Sequence, residues 1–167
     1  MSLKERLDVD LLDEDDDEGE DTQEDKFLTF VLNQEEYGIE IRHVTEIIGI
    51  QSITEVPDMP HYIKGVINLR GKVIPTMDVR LRFGLEEREY DDRTCIIVIN
   101  IDEQSVGLIV DRVSEVMDIP KSGVEPPPKV KMGESSRFIK GMGKVGDRVK
   151  ILLNAHQLLF DFEKGED

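Results

Sequence analysis

Tryptophan is missing from this 167-residue chain, aromatic residues make up 5% of it, and there is one cysteine. Each scarcity excludes something. A core with so few rings must rest on Val, Ile and Leu, whose branched side chains suit half-buried pleated strands. The single Cys95 rules out an intrachain disulfide framework. It falls in an apolar, strand-like run and reads as a small buried hydrophobe rather than a catalytic thiol. No apolar run approaches the ~18 residues of a membrane-spanning helix, and the N-terminus lacks a signal-peptide core, so a soluble cytoplasmic protein is expected. Positive charge is also short: 21 Lys and Arg stand against 37 Asp and Glu, a net charge of −16. That balance argues against nucleic acid and anionic membrane as partners, since both reward clustered cations.

The negative charge is unevenly spread. Residues Met1 to Asp25 hold thirteen acids against Lys4 and Arg6, leaving about −5 on the rest. The run Asp13-Glu14-Asp15-Asp16-Asp17-Glu18-Gly19-Glu20-Asp21 cannot bury anything, so residues 1–25 are expected to be a disordered acidic tail. It is not an EF-hand loop, because Gly19 is out of register with an Asp13 start and no bidentate Glu closes it.

What the chain does have is a folded part written twice. Phe27-Leu28-Thr29-Phe30-Val31-Leu32, a polar turn, and Gly38-Ile39-Glu40-Ile41-Arg42-His43-Val44-Thr45-Glu46-Ile47-Ile48 recur 69 positions on, as Ile96 to Ile101 and Gly107 to Met117. A second pair lies about 76 positions apart: Ile63-Lys64-Gly65 with Lys72-Val73-Ile74, and Ile139-Lys140-Gly141 with Arg148-Val149-Lys150-Ile151. Units of that length are too long for a solenoid array and suit two similar small β-units packed together.

Turn signals fill in the pattern. Asn33-Gln34-Glu35-Glu36 reads as a four-residue turn between two strands, and Arg70-Gly71-Lys72 as a tighter hairpin. Val44, Ile47 and Ile48 fit a short helix or a bent strand, with β-branched content favouring strand, and Val113 and Val116 leave the same ambiguity. Asp78 to Phe83 is a helical turn that Asp78 can cap and Gly84 can end. Pro126-Pro127-Pro128 makes a stiff linker. A last strand, Val149 to Leu153, leads to Asn154, which caps a short C-terminal helix carrying Leu158, Leu159 and Phe162. The fold class is therefore all-β: two small barrels with a short C-terminal helix, with some strands not assignable to either barrel.

Catalytic and cofactor chemistry is not expected. Gly141-Met142-Gly143-Lys144-Val145-Gly146 matches G-x-G-x-x-G, but a strand follows it where a dinucleotide site needs a helix. His43, His61 and His156 lack ligand spacing. Ser105, Ser114, Ser122 and Ser135-Ser136 lack the glycine-flanked loop of a double-barrel protease.

The stretch Tyr62 to Gly84, with its Asn68-Leu69-Arg70-Gly71 core and Ile74-Pro75 downstream, resembles the signature of CheW-type chemotaxis coupling proteins. Glu36 to Ile41 and Val106 to Asp111 resemble the family as well, and the similarity runs from about Phe27 to Phe160. It implies one domain at residues 26–163, made of two five-stranded SH3-like barrels around a shared core. It also implies a non-enzymatic adaptor joining methyl-accepting chemoreceptor tips to the regulatory domain of the histidine kinase CheA, in arrays at the inner face of the membrane. CheA and CheV proteins share the signature, but the seven residues after Phe160 leave no room for a kinase or receiver domain. The acidic tail departs from the family pattern. The rival reading is a general two-barrel module serving another kinase or a peptide ligand.

Candidate partner-binding residues follow from this resemblance and from the apolar pattern. Arg70 matches the family's important arginine, in a turn where its guanidinium can make paired hydrogen bonds or brace one barrel against the other. Asn68 and Leu69 share that choice, and Gly65 lies in the same signature stretch. Val44 and Glu46 match receptor-facing family positions, though Glu46 has a repeat-mate in Glu115. Ile48, Val113 and Val116 are apolar and suited either to the core or to a groove accepting a receptor helix tip.

Overall fold

The computed structural model describes residues 24–128 and 134–160. Almost all of the expected acidic tail, and Phe162, lie outside them. The elements are β1 (Lys26–Leu32), β2 (Glu35–Glu40), β3 (Val44–Gly49), β4 (Ile63–Leu69), β5 (Lys72–Asp78), α1 (Val79–Arg82), β6 (Cys95–Ile101), β7 (Gln104–Val110), β8 (Arg112–Asp118), β9 (Val124–Glu125), β10 (Ile139–Val145), β11 (Arg148–Leu153) and α2 (Ala155–Phe160).

The two copies of the repeat exchange strands. One sheet runs β8-β1-β2-β11-β10-β9 and the other β3-β6-β7-β5-β4. The hairpin of each copy is therefore completed by the later strands of the other copy, and the second barrel (β3 to β7) sits between the two chain segments that form the first. Equivalent strands meet in equivalent ways. Leu152 pairs in parallel with Gly38, and its counterpart Thr76 with Gly107. The register slips at Ile63/Gly65 in one barrel and at Ile139/Gly141 in the other. The first sheet has six strands rather than five because β9 adds two residues, which repeat the isolated Thr54–Val66 bridge of the second barrel.

Local chemistry explains the turns. The β1–β2 loop is two residues long, not four, because Asn33 and Gln34 both take positive φ (56° and 81°), leaving Glu35 and Glu36 in β2. Such mirror-image turns match the right-handed twist of the strands they join. Asp78 caps α1 by accepting from Leu81 N, and Asn154 caps α2 by accepting from Gln157 N. Gly84 follows α1 at φ 80°. The G-x-G-x-x-G segment runs along β10 into the Gly146-Asp147 turn.

The main core lies between the barrels and is built from repeat-mates: Leu28 with Ile97, Phe30 with Ile99, Leu32 with Ile101, Ile39 with Leu108, and Val44 with Val113. The scarce aromatics gather here. Phe30 stacks on Tyr37, Tyr37 meets Phe83, and Phe83 stacks on Phe138. The buried Arg82 lies between the rings of Tyr62 and Phe138, at 4.4 and 4.6 Å from their centroids. Its Nε donates to the carbonyl of Leu158 at 3.0 Å. Tyr62 and Phe138 are repeat-mates, as are Arg82 and Leu158, so this cluster marks the pseudo-two-fold axis.

A desolvated cation between two rings is worth about 2 kcal/mol, and an orphaned buried carbonyl costs about 1–3 kcal/mol. Arg82→Ala should therefore destabilise the protein by about 2–4 kcal/mol in urea unfolding. Arg82→Lys, which keeps charge but not the planar stack, should lose an intermediate amount. An unchanged unfolding midpoint for Arg82→Ala would show that the axis is held by the apolar residues alone.

Candidate interaction surface

The two barrels differ most where the repeat is broken. At its heart the second barrel holds Ile67, Ile74, Val98 and Ile109. The first has Gly143, Lys150, Thr29 and Glu40 at the matching places. Lys150, 5% exposed, is neutralised by a hydrogen bond to Glu36, and this bond holds the Glu36 carboxyl below its usual range against the opposing effect of burial. Thr29 Oγ1 donates to Glu115 O at 2.7 Å and accepts from Glu115 N at 3.1 Å. One mouth of the first barrel is left as a cavity of about 650 Å³, floored by Phe27, Ile119 and Leu152 and rimmed by Glu40, Arg42, Lys121 and Lys140.

The second barrel departs from the repeat at a surface turn. Arg70 and Gly71 link β4 to β5 with φ of 52° and 83°, and Asn68 Oδ1 fixes the turn by accepting from Gly71 N at 2.8 Å. Arg70 Nη1 and Nη2 donate to the two carboxylate oxygens of Glu46 at 2.5 and 2.7 Å. This fork-to-fork geometry is the strongest an arginine makes with a carboxylate. The Arg70 side chain is 72% exposed and that of Glu46 16%, so β3 holds the guanidinium in place while leaving it open to solvent. Lys72 Nζ reaches Ser105 Oγ at 3.3 Å, which ties the other side of the turn to β7. In the first barrel the matching turn is Gly146-Asp147, and Glu115 is exposed. Among the described residues this bidentate arginine–glutamate pair therefore occurs on one barrel, and the first barrel's hairpin has instead Arg148, one nitrogen of which lies 3.5 Å from Glu36.

The other candidates divide cleanly. Asn68 is exposed and shapes the Arg70 turn, and Leu69 packs half-buried on the interior of the second barrel. Gly65 is structural: it takes φ +148°, and a Cβ there would lie 2.1 Å from the carbonyl oxygen of Thr54. Val44, Ile48 and Val113, at 7%, 5% and 7% exposure, point into cores and present no groove wall. Val116 is partly buried against the shared core. Sequence reasoning missed the exposed Val73 (65%) beside the turn and its repeat-mate Val149 (52%). Their outward places in the strand alternation were the available signal.

Comparison with known proteins agrees with this architecture. The CheW-like domain model matches residues 26–163. The chain belongs to the CheW-like family. It is 38% identical to the chemotaxis protein CheW of Klebsiella aerogenes over 134 residues, which is 80% of this chain and 81% of that one. It is 36% identical to the CheW of Bacillus subtilis, over 81% of this chain and 86% of that one. Among solved structures it resembles the scaffolding protein TtCheW of Thermoanaerobacter tengcongensis, with a TM-score of 0.77, 39% identity, and coverage of 86% of this chain and 97% of that one. This CheW-like membership sets the chain among chemotaxis coupling adaptors and disfavours a general two-barrel module.

The polar first barrel has a measurable consequence. His43 Nε2, Arg42 and Lys140 each lie 3.4 Å from the carboxylate of Glu40. The hydrogen bond from His43, followed by the charges of Lys140 and Arg42, outweighs burial and lowers the Glu40 pKa from 4.5 to about 2. A carboxyl depressed in the folded state stabilises above its unfolded pKa, and that stability is lost as pH falls through the folded value. Wild-type urea midpoints should thus fall between about pH 4.5 and 2, and Glu40→Gln should show a shallower fall. Equal slopes for the two proteins would show that this cluster does not stabilise the fold.

Proposed function

We propose that this chain is a non-enzymatic, cytoplasmic adaptor that couples methyl-accepting chemoreceptors to the histidine kinase CheA in membrane-associated signalling arrays. The family membership supports this, and the observation that carries it is the bidentate Glu46–Arg70 pair on one barrel of a doubled fold. A two-sided connector needs faces that are not interchangeable. Here the second barrel holds the Arg70 guanidinium through both terminal nitrogens, whereas the matching hairpin of the first offers Arg148 with one contact to Glu36 at 3.5 Å. Arg70 is set to meet carboxylates or carbonyls at a receptor tip, with Glu46 holding its rotamer and so reducing the entropy lost on binding.

The outer faces of the two hairpins, with Val73 and Val149 exposed at matching positions, suit contact with the SH3-like barrels of the CheA regulatory domain, which shares the fold. Coupling is then a differential binding energy of a few kcal/mol between kinase-on and kinase-off arrangements. No bond is made or broken. The domain occupies residues 26–163, and the acidic segment 1–25 precedes it.

Arg70→Glu should place two carboxylates together, remove the guanidinium and weaken receptor-dependent control of the kinase by tenfold or more, on the order of 1.4 kcal/mol. Melting should change by only a few degrees, because the pair lies at the surface. The measurement is kinase activity in reconstituted receptor–CheA mixtures, alongside titration calorimetry against the CheA regulatory domain. Intact control by the variant would remove Arg70 from the mechanism. Failure of the wild type to bind the regulatory domain at tens of micromolar would remove the kinase as partner.

A further inference from the structure

Four of the chain's ten arginines gather in one place, at the end of the first barrel opposite the mouth described above. A pocket of about 300 Å³ is lined by Val31, Asn33, Gln34, Asp111 and the four arginines Arg80, Arg88, Arg93 and Arg112. Asp111 is the only acid in that wall, and it is fully engaged. It accepts from Arg80 Nε and Nη2 at 2.8 and 3.0 Å, from Arg88 Nη1 at 3.1 Å and from Asn33 N at 2.9 Å. Burial would raise its pKa, but the Arg80 and Asn33 hydrogen bonds prevail and keep it ionised. Arg80 is thereby neutralised, and Arg88 is shared between Asp111 and Asp91. Among the described residues, the guanidinium groups of Arg93 and Arg112 have no hydrogen-bonded or ion-paired partner, although the Arg112 charge acts at longer range on Glu36. The pocket thus carries excess positive charge on a chain whose net charge is −16.

We propose that this pocket is the docking site for the chain's own acidic run, Asp13 to Asp21. Charge complementarity is one argument, since eight of the nine residues in that run are Asp or Glu. Reach is the other. Glu24 sits at the start of β1, paired with Lys121 at 3.2 Å. Arg112 lies opposite Val31 at the far end of the same strand. Seven residues of strand span about 23 Å, and a segment running back from Glu24 at ~3.3 Å per residue covers that distance by about Asp17. Tethering gives the run an effective concentration in the millimolar range, well above that of a free acidic partner. The docked run needs no fold of its own and adds nothing to the core. It masks this cationic pocket until salt or a competing polyanion displaces it. This inference is independent of the receptor and kinase assignments.

The test uses the full chain, isotope-labelled, compared by NMR with a full chain in which Asp13, Asp15, Asp16, Asp17 and Asp21 become Asn and Glu14, Glu18 and Glu20 become Gln. The Nε–Hε signals of Arg88, Arg93 and Arg112 should differ between the two chains at about 20 mM salt, and the difference should shrink at least about twofold near 300 mM. Signals of Arg70, held by Glu46 near the Ser105 end of β7 and away from Asp111, should coincide. In the full chain carrying Arg93→Gln and Arg112→Gln, backbone amides of residues 13–21 should move toward their positions at high salt. Superimposed arginine signals in the two chains would overturn the proposal, as would shifts spread equally to Arg70. Arginine signals that respond to added inorganic phosphate but not to the acidic run would also overturn it, since the pocket would then serve a free anion.

Discussion

Everything in this molecule depends on the strand exchange that places the main hydrophobic core between the barrels rather than within them. Neither sheet can be completed from one copy of the repeat, and the largest apolar cluster is assembled from matching residues of both. The pseudo-two-fold axis is occupied by Arg82, a cation held between Tyr62 and Phe138 and bonded to the carbonyl of its own repeat-mate. A buried charge is costly unless every contact is supplied, so this cluster fixes how the two halves meet. The result is a rigid body with two similar ends.

The two barrels part company where the doubling fails. Replacing Ile67, Ile74 and Ile109 by Gly143, Lys150 and Glu40 opens and polarises the first barrel, while the second keeps an aliphatic interior. At the surface, Arg70 stands where the other copy has Gly146, and the second barrel's guanidinium is held by two hydrogen bonds to Glu46 where the first barrel's Arg148 has one 3.5 Å contact with Glu36. A symmetric duplex would offer identical faces to both partners. These few substitutions give the two ends separate identities without altering the frame.

Much of this was legible in the sequence, for physical reasons that can be named. Alternating β-branched residues and repeated Gly-centred turns revealed the strands, and Asp78 and Asn154 revealed both helices through their capping chemistry. The bidentate potential of Arg70 followed from its type and its turn, yet its partnership with Glu46, 24 positions away, needed the folded chain. The inward facing of Val44, Ile48 and Val113 was not legible. An apolar residue at a seam reads the same whether it lines a groove or fills a core, and only the exchange of β3 and β8 decides between them. Gly65 likewise gave no sign that the Thr54 carbonyl crosses directly over it.

The rigid-body account is tested most directly by differential scanning calorimetry of the full chain. If the shared core joins the barrels, unfolding is a single transition with calorimetric and van't Hoff enthalpies in agreement, as for small two-state domains. Two resolved transitions, or a calorimetric enthalpy well above the van't Hoff value, would mean that the barrels unfold separately. The exchanged strands would then not be what makes this molecule one unit.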